Sequence, residues 1–188
     1  MLENKFLIFY ISIFFLISCA GSSITSIAGN AAISEKGLSK SVSDAIILAK
    51  IKSKLTSLKF KNIIDISVNV SDGKVLLVGT THDNKKRLEI IKTVWGIKDV
   101  KRIYNEILVN EIYTLNDKLS DLYLETKVKS SLLFKSSIYS NNFSIKVFKK
   151  TLYIIGLARN IDEKMKLENY LKDYKEFKKI KSFINFSR

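Results

Sequence analysis

ISVNVSDGKVLLVG at 66–79 returns as FSIKVFKKTLYIIG at 143–156, and the two stretches stand 77 residues apart without a gap. In the first, Ile66, Val68 and Val70 alternate with Ser67 and Asn69, the period of a strand with one apolar face. Asp72-Gly73 then turns the chain into the apolar run 74–79, because both residue types tolerate the left-handed backbone of a tight hairpin. In the second, Phe143, Ile145 and Val147 lead through Lys149-Lys150 into the run 151–156, and a turn without glycine predicts a looser or bulged connection. Gly79 and Gly156 close the two runs, where strand is expected to give way to loop and the backbone needs unusual dihedrals or close approach.

The same offset holds in both directions. It lays Asp44 on Asp121, Lys50 on Lys127, Leu55 on Leu132, Val70 on Val147 and Ile107 on Ile184. A register kept from end to end marks a duplicated domain. Each unit opens with an amphipathic helix: Ile47, Ile51, Leu55 and Leu58 recur behind an expected N-cap at Ser43, and Leu124, Val128 and Leu132 recur behind Asp121. Charged helices are expected near 83–95 and 160–172, with last strands near 100–110 and 178–186. The fold class is therefore α+β, with units at 44–112 and 121–188 joined by a linker at 113–120. Each unit has the order αββαβ, two helices covering one face of a three-stranded mixed sheet. Units this small are marginal alone, so packing against each other is expected to help.

The chain has 188 residues, too few for a large multidomain enzyme, and its 32 basic against 18 acidic side chains give a net charge of +14. Such a balance points to an anionic partner, nucleic acid or membrane. A single Cys and a single His supply neither a zinc site nor an internal disulfide, and the absence of Pro removes polyproline segments. The apolar run FLIFYISIFFLIS at 6–18 is shorter than the roughly twenty residues of a spanning helix and has the length of a signal-peptide core. LISC at 16–19 resembles the lipobox of bacterial lipoproteins, which makes residues 1–18 a removable signal and Cys19 the first mature residue, carrying acyl chains such as palmitate. Removing Glu3 and Lys5 with the signal leaves the net charge unchanged. Residues 19–43 then read as a tether, and Ala20-Gly21, with no Asp, imply the outer membrane by the rule for that class of lipoprotein.

The lipobox, KVLLVG at 74–79, Tyr104-Asn105-Glu106-Ile107, Thr126-Lys127-Val128-Lys129-Ser130 with Leu132-Leu133, and IKVFKKTLYIIG at 145–156 together resemble the dual BON-domain outer-membrane lipoproteins. The resemblance spans nearly the whole mature chain. It implies two tandem BON domains, a periplasm-facing lipid anchor, and binding of anionic phospholipid such as phosphatidylglycerol by the first helix of the second domain. It also implies support of envelope integrity and a place in cell division. Carried over by position, the lipid-contacting residues are Tyr123, Leu124, Lys127, Lys129 and Leu133, with Lys149 and Lys150 adding charge nearby. Tyr123 stands where that family usually has tryptophan, and Lys149-Lys150 where it has an acidic-glycine turn.

From the residues alone, the net charge is +7 over 121–186 and +5 over 44–112, and an aromatic beside lysines suits an interfacial helix. The competing reading of Leu124, Val128 and Leu132 is a core stripe. Nucleic acid is a poor match, because a signal-bearing chain is exported and carries no Arg-rich reading helix. Catalysis is not expected: His82 is alone in a loop, the carboxylates Asp72, Asp83, Glu106 and Glu163 are scattered, and no metal, cofactor or glycine-rich phosphate loop is called for. Trp95 reads as a core or interdomain packing residue. The alternative function is a protein-binding adaptor of an envelope complex, tethered only through Cys19; the chain is expected to be monomeric.

Overall fold

The computed structural model describes residues 37–57 and 66–186; the signal run 6–18, Cys19, residues 19–36 of the tether and Leu58 lie outside them. The order is α1 (Gly37–Ser57), β1 (Ile66–Ser71), β2 (Lys74–Thr81), α2 (Asn84–Trp95) and β3 (Arg102–Val109). It then repeats as α3 (Leu115–Leu133), β4 (Phe143–Phe148), β5 (Thr151–Ala158), α4 (Ile161–Lys172) and β6 (Lys179–Phe186), with a short 3-10 turn at Ser140–Asn142 before β4. Each unit is a three-stranded mixed sheet with β2 or β5 in the centre, antiparallel to the strand before it and parallel to the strand after it. A parallel neighbour needs a crossover, and α2 and α4 supply it.

The expected elements are present, with displaced ends. The first helix begins at Gly37, so Ser43 lies inside it and is not its N-cap, and residues 37–43 are helix, not tether. The second begins at Leu115, so most of the stretch 113–120 read as linker is the first turn and a half of α3. The cause is a capping box. The Thr114 hydroxyl accepts from the Asp117 N–H at 3.2 Å while the Asp117 carboxylate accepts from the Thr114 N–H at 2.9 Å, satisfying donors that a helix start otherwise leaves open.

The run VLLV at 75–78 is buried on both faces, which is why it is uninterrupted. Val75 and Leu77 meet Ile47, Ile51, Ile90 and Val94 under the helices. Leu76 and Val78 face the other way and pack with Tyr153, Ile155 and Phe148 of the second unit. Leu152 and Ile154 in turn close a core with Val128, Leu132, Leu167 and Leu171. The molecule is thus four layers: helices, sheet, sheet, helices. The two sheets lie face to face and the two helix layers face outward on opposite sides. Between the sheets, the rings of Tyr104 and Phe183 lie 4.4 Å apart and Lys181 pairs with Glu106. Burial there, with the Glu106 charge second, pushes the Tyr153 phenol up to about 12.

The turn at Lys149-Lys150 is neither loose nor bulged. Phe148 pairs with Thr151 as Ser71 pairs with Lys74, and both lysines adopt the left-handed backbone (φ 50° and 58°), as Asp72 and Gly73 do (53° and 71°). A carboxylate enforces it in each unit. Asp44 accepts from the N–H groups of Asp72 and Gly73, both at 2.8 Å, and Asp121 from those of Lys149 and Lys150, at 2.5 and 2.9 Å. A left-handed residue with a Cβ costs about 1 kcal/mol that glycine avoids. Lys150→Gly should therefore raise stability by roughly that amount in urea unfolding; a loss of stability would show that the lysine side chain outweighs its backbone.

Gly79 and Gly156 sit inside β2 and β5, opposite Ile66 and Phe143, and do not mark a strand end. Gly79 does require its freedom, at φ 149°. Gly156 answers a close approach by Asn142 and Phe143.

Candidate functional site

The outward side of α3 is built by the same periodicity that builds its inward side. Asp121, Leu124, Glu125, Val128 and Leu132 are buried. Opposite them, Leu115, Leu119 and Leu122 follow at i, i+4 and i+7, and Thr126, Ser130 and Leu133 continue the same exposed face at i+11, i+15 and i+18. Tyr123 and Leu133 are each 67% exposed. The stripe runs about 27 Å along the helix, with Lys129 at its edge, seven residues after Leu122 and four before Leu133. A linker at 113–120 leaves Leu115 and Leu119 out of the helix; their spacing to Leu122 is the sequence signal that places them on it.

Leu124 is a correction. It is 6% exposed and faces the sheet, because it stands three residues after Asp121 and four before Val128 on the inward side. It belongs to the core and leaves the set of surface residues.

The lysines divide into two groups. The Lys127 ammonium lies 2.6 Å from the Glu176 carboxylate, and that hydrogen bond holds Lys127 above and Glu176 below their usual ranges. The Lys129 ammonium lies 2.6 Å from Glu125, which also meets Lys146 at 3.1 Å and the Val147 N–H at 3.1 Å. Burial pushes the Glu125 carboxyl up, but the bonds from Lys129 and Val147 and the charge of Lys146 outweigh it and hold the group low. Lys149 pairs with Glu111, while Lys150 is exposed at the turn that Asp121 fixes against α3. The helix itself carries three basic and three acidic residues and is neutral. Its distinctive property is apolar exposure, with lysines at its flanks.

At the far end of α3, Lys129, Ser130 and Leu133 border a groove of about 370 Å³ that Ser140, Asn141 and Phe143 close on the other side. The structure thus brings Lys129 and Leu133 together at one end and ties Lys149 and Lys150 to the other through Asp121.

The scattered carboxylates have structural work. Asp72 bonds Lys101 at 3.0 Å, Asp83 caps α2 by accepting from the Lys86 N–H at 2.7 Å, and Glu163 accepts from the N–H groups of Tyr139 and Arg159, both at 2.7 Å. His82 is an exposed loop residue between β2 and α2. Trp95, expected in a core or between domains, is instead 59% exposed at the end of α2. Its position follows from the buried Ile90 and Val94, which fix the inward side of that helix and turn residue 95 outward. Among the described residues, no helix is long and apolar enough to cross a membrane.

Comparison with known proteins adds the following. The BON domain profile matches residues 43–111. Over 150 residues, 78% of this chain and 95% of the relative, the sequence is 32% identical to the Anaplasma centrale protein called "Uncharacterized protein in gshII 5'region". Two solved structures of CdsD, a structural protein of the type III secretion system of Chlamydia trachomatis, show a weak likeness. The first, at 12% identity and a TM-score of 0.31, covers 76% of this chain and 92% of its own. The second, the C-terminal domain, at 11% and 0.30, covers 74% and 64%. At these scores the likeness supports neither fold nor function.

Proposed function

From the premise that this chain belongs to the BON-domain family, whose members are commonly associated with membrane or periplasm and generally non-enzymatic, we propose that it is an envelope lipoprotein whose second αββαβ unit binds anionic phospholipid. Cys19 carries the anchor, the outer membrane receives it, and the folded part faces the periplasm and supports envelope integrity. The observation that carries the reading is the apolar outward stripe of α3, with Leu115, Leu119, Leu122, Tyr123 and Leu133 exposed on one helix face. Apolar side chains at that spacing lie in the headgroup region of a bilayer, while lysines at the flanks reach phosphate. Lys127, Lys129, Lys149 and Lys150 take that part. Exchange of Glu176 or Glu111 for a lipid phosphate keeps Lys127 and Lys149 paired, so the ion pairs seen in the free protein are compatible with binding.

A probe placed on the stripe tests this. The chain from residue 19, with Cys19→Ser to remove the anchor and Leu133→Cys to receive an environment-sensitive dye, is mixed with vesicles with and without phosphatidylglycerol. Dye emission should rise and shift to the blue only with the anionic lipid. Tyr123→Ala with Lys127→Glu should weaken that response about tenfold, from the loss of one interfacial aromatic and the reversal of one charge. A dye that reports water in both vesicle preparations would remove α3 from any membrane role.

A further inference from the structure

Of the two helix layers, the one with excess positive charge is on the other side from α3. The α1 and α2 helices carry eight basic and two acidic residues between them, whereas α3 and α4 carry six of each. The lysines of α3 at 127 and 129 have acidic partners. Among the described residues, the structure gives none to Lys50, Lys52, Lys54, Lys85, Arg87 or Lys92. On this same layer Trp95 is 59% and Leu88 54% exposed, one face of α2 at i and i+7, and Val42 and Ile46 are exposed on α1, the other helix of the layer. The fold does not ask for an aromatic at 95. The repeat places Lys172 at the equivalent position of α4, and that helix is equally well formed.

An exposed tryptophan and leucine on a layer rich in basic side chains without acidic partners is the composition that settles at the headgroup level of an anionic bilayer. We infer that the α1–α2 layer is a second bilayer-binding face. Because the sheets pack face to face, it points away from α3, so one molecule joins two anionic membrane surfaces. The joining rests on the reading of α3 given above; the second face does not.

Trp95 is the only tryptophan in the chain and reports its own environment. The experiment uses the chain from residue 19 with Cys19→Ser, vesicles of phosphatidylcholine with or without phosphatidylglycerol, and brominated lipid as quencher, with light scattering to follow vesicle clustering. Trp95 emission should shift to the blue and be quenched with anionic vesicles, including in the Tyr123→Ala, Lys127→Glu variant, and scattering should rise severalfold. Leu88→Ala with Lys92→Glu, and separately the α3 variant, should each abolish clustering while vesicle binding falls no more than about tenfold.

If Trp95 emission stays unchanged while the dye at residue 133 responds, the second face is refuted and the α3 reading stands. If Trp95 responds and the dye does not, the α3 reading fails and the bridge with it. Clustering that survives Leu88→Ala with Lys92→Glu also overturns the bridge. A concentration-dependent blue shift without lipid, together with a dimer in sedimentation, would show that a second copy covers this face and overturn the bilayer assignment.

Discussion

Asp121→Ala is expected to destabilise the protein by about 3 kcal/mol, a fall in midpoint of roughly 6–12 °C for a chain of this size. The carboxylate is 2% exposed and accepts three hydrogen bonds, from the Lys149 and Lys150 N–H groups and from the Tyr113 hydroxyl at 2.9 Å. Alanine removes the acceptor that all three donors share, and two of them belong to lysines in a backbone conformation that lysine disfavours. The other contacts of this turn, from the Lys178 N–H to the Lys150 carbonyl at 2.9 Å and between Lys149 and Glu111, leave those two N–H groups unserved. Asp44→Ala, in the equivalent position, strips only two donors from a turn that contains glycine. It should cost about 1 kcal/mol less. Asp121→Asn should fall between, because the amide keeps one acceptor and turns a donor towards another donor. Urea unfolding of the three variants checks the order. Equal losses for Asp121→Ala and Asp44→Ala would mean that the strain of the lysine turn has no share in the effect.

Gly156→Ala should cost a similar amount by a different route. A Cβ built there lies 2.3 Å from the Phe143 Cδ1, 2.5 Å from the Asn142 carbonyl oxygen and 3.0 Å from the Phe143 Cα. The ring can rotate away, but the other two atoms are backbone. They belong to the 3-10 turn and the first residue of β4, so relief requires moving the start of that strand and the half-buried Phe143 that packs on the core. Overpacking of this kind costs about 3 kcal/mol when backbone must shift. A second change, Phe143→Ala, should leave the loss in place, since it removes only the contact that could have yielded. Recovery in the double variant would identify the ring, and not the carbonyl, as the obstacle.

Much of the fold was legible because its signals are local or repeated. The 77-residue offset, the alternation at 66–70 and 143–147 and the continuous apolar runs after them are consequences of strand geometry and double burial. What escaped depends on contacts that spacing does not encode. A turn of two lysines reads as irregular until Asp121, twenty-eight residues earlier, is seen to bind it. Thr114 and Asp117 spell a capping box, but two units in tandem also call for a linker at that point, and a linker there leaves two of the leucines off the candidate surface. Family position sets Leu124 outward and the core-stripe spacing with Val128 and Leu132 sets it inward, and its burial follows the spacing. The exposure of Trp95 depends on which residues of α2 meet the sheet, and a tryptophan after a buried valine suits either side until the layers are known.

The contact between the sheets has a further meaning. Adding 77 to Tyr104 gives Lys181, and subtracting it from Phe183 gives Glu106, so the aromatic pair Tyr104–Phe183 and the ion pair Lys181–Glu106 occupy the same contact, related by a half-turn. A surface that meets its own copy in this reciprocal way is the surface of a symmetric homodimer. The chain therefore has the form left when the gene for a self-pairing unit is doubled in tandem. Fusion frees the halves from having to match. At the axis one of the two equivalent contacts is an aromatic pair and the other an ion pair, while outside it one helix layer carries two acidic residues and the other six.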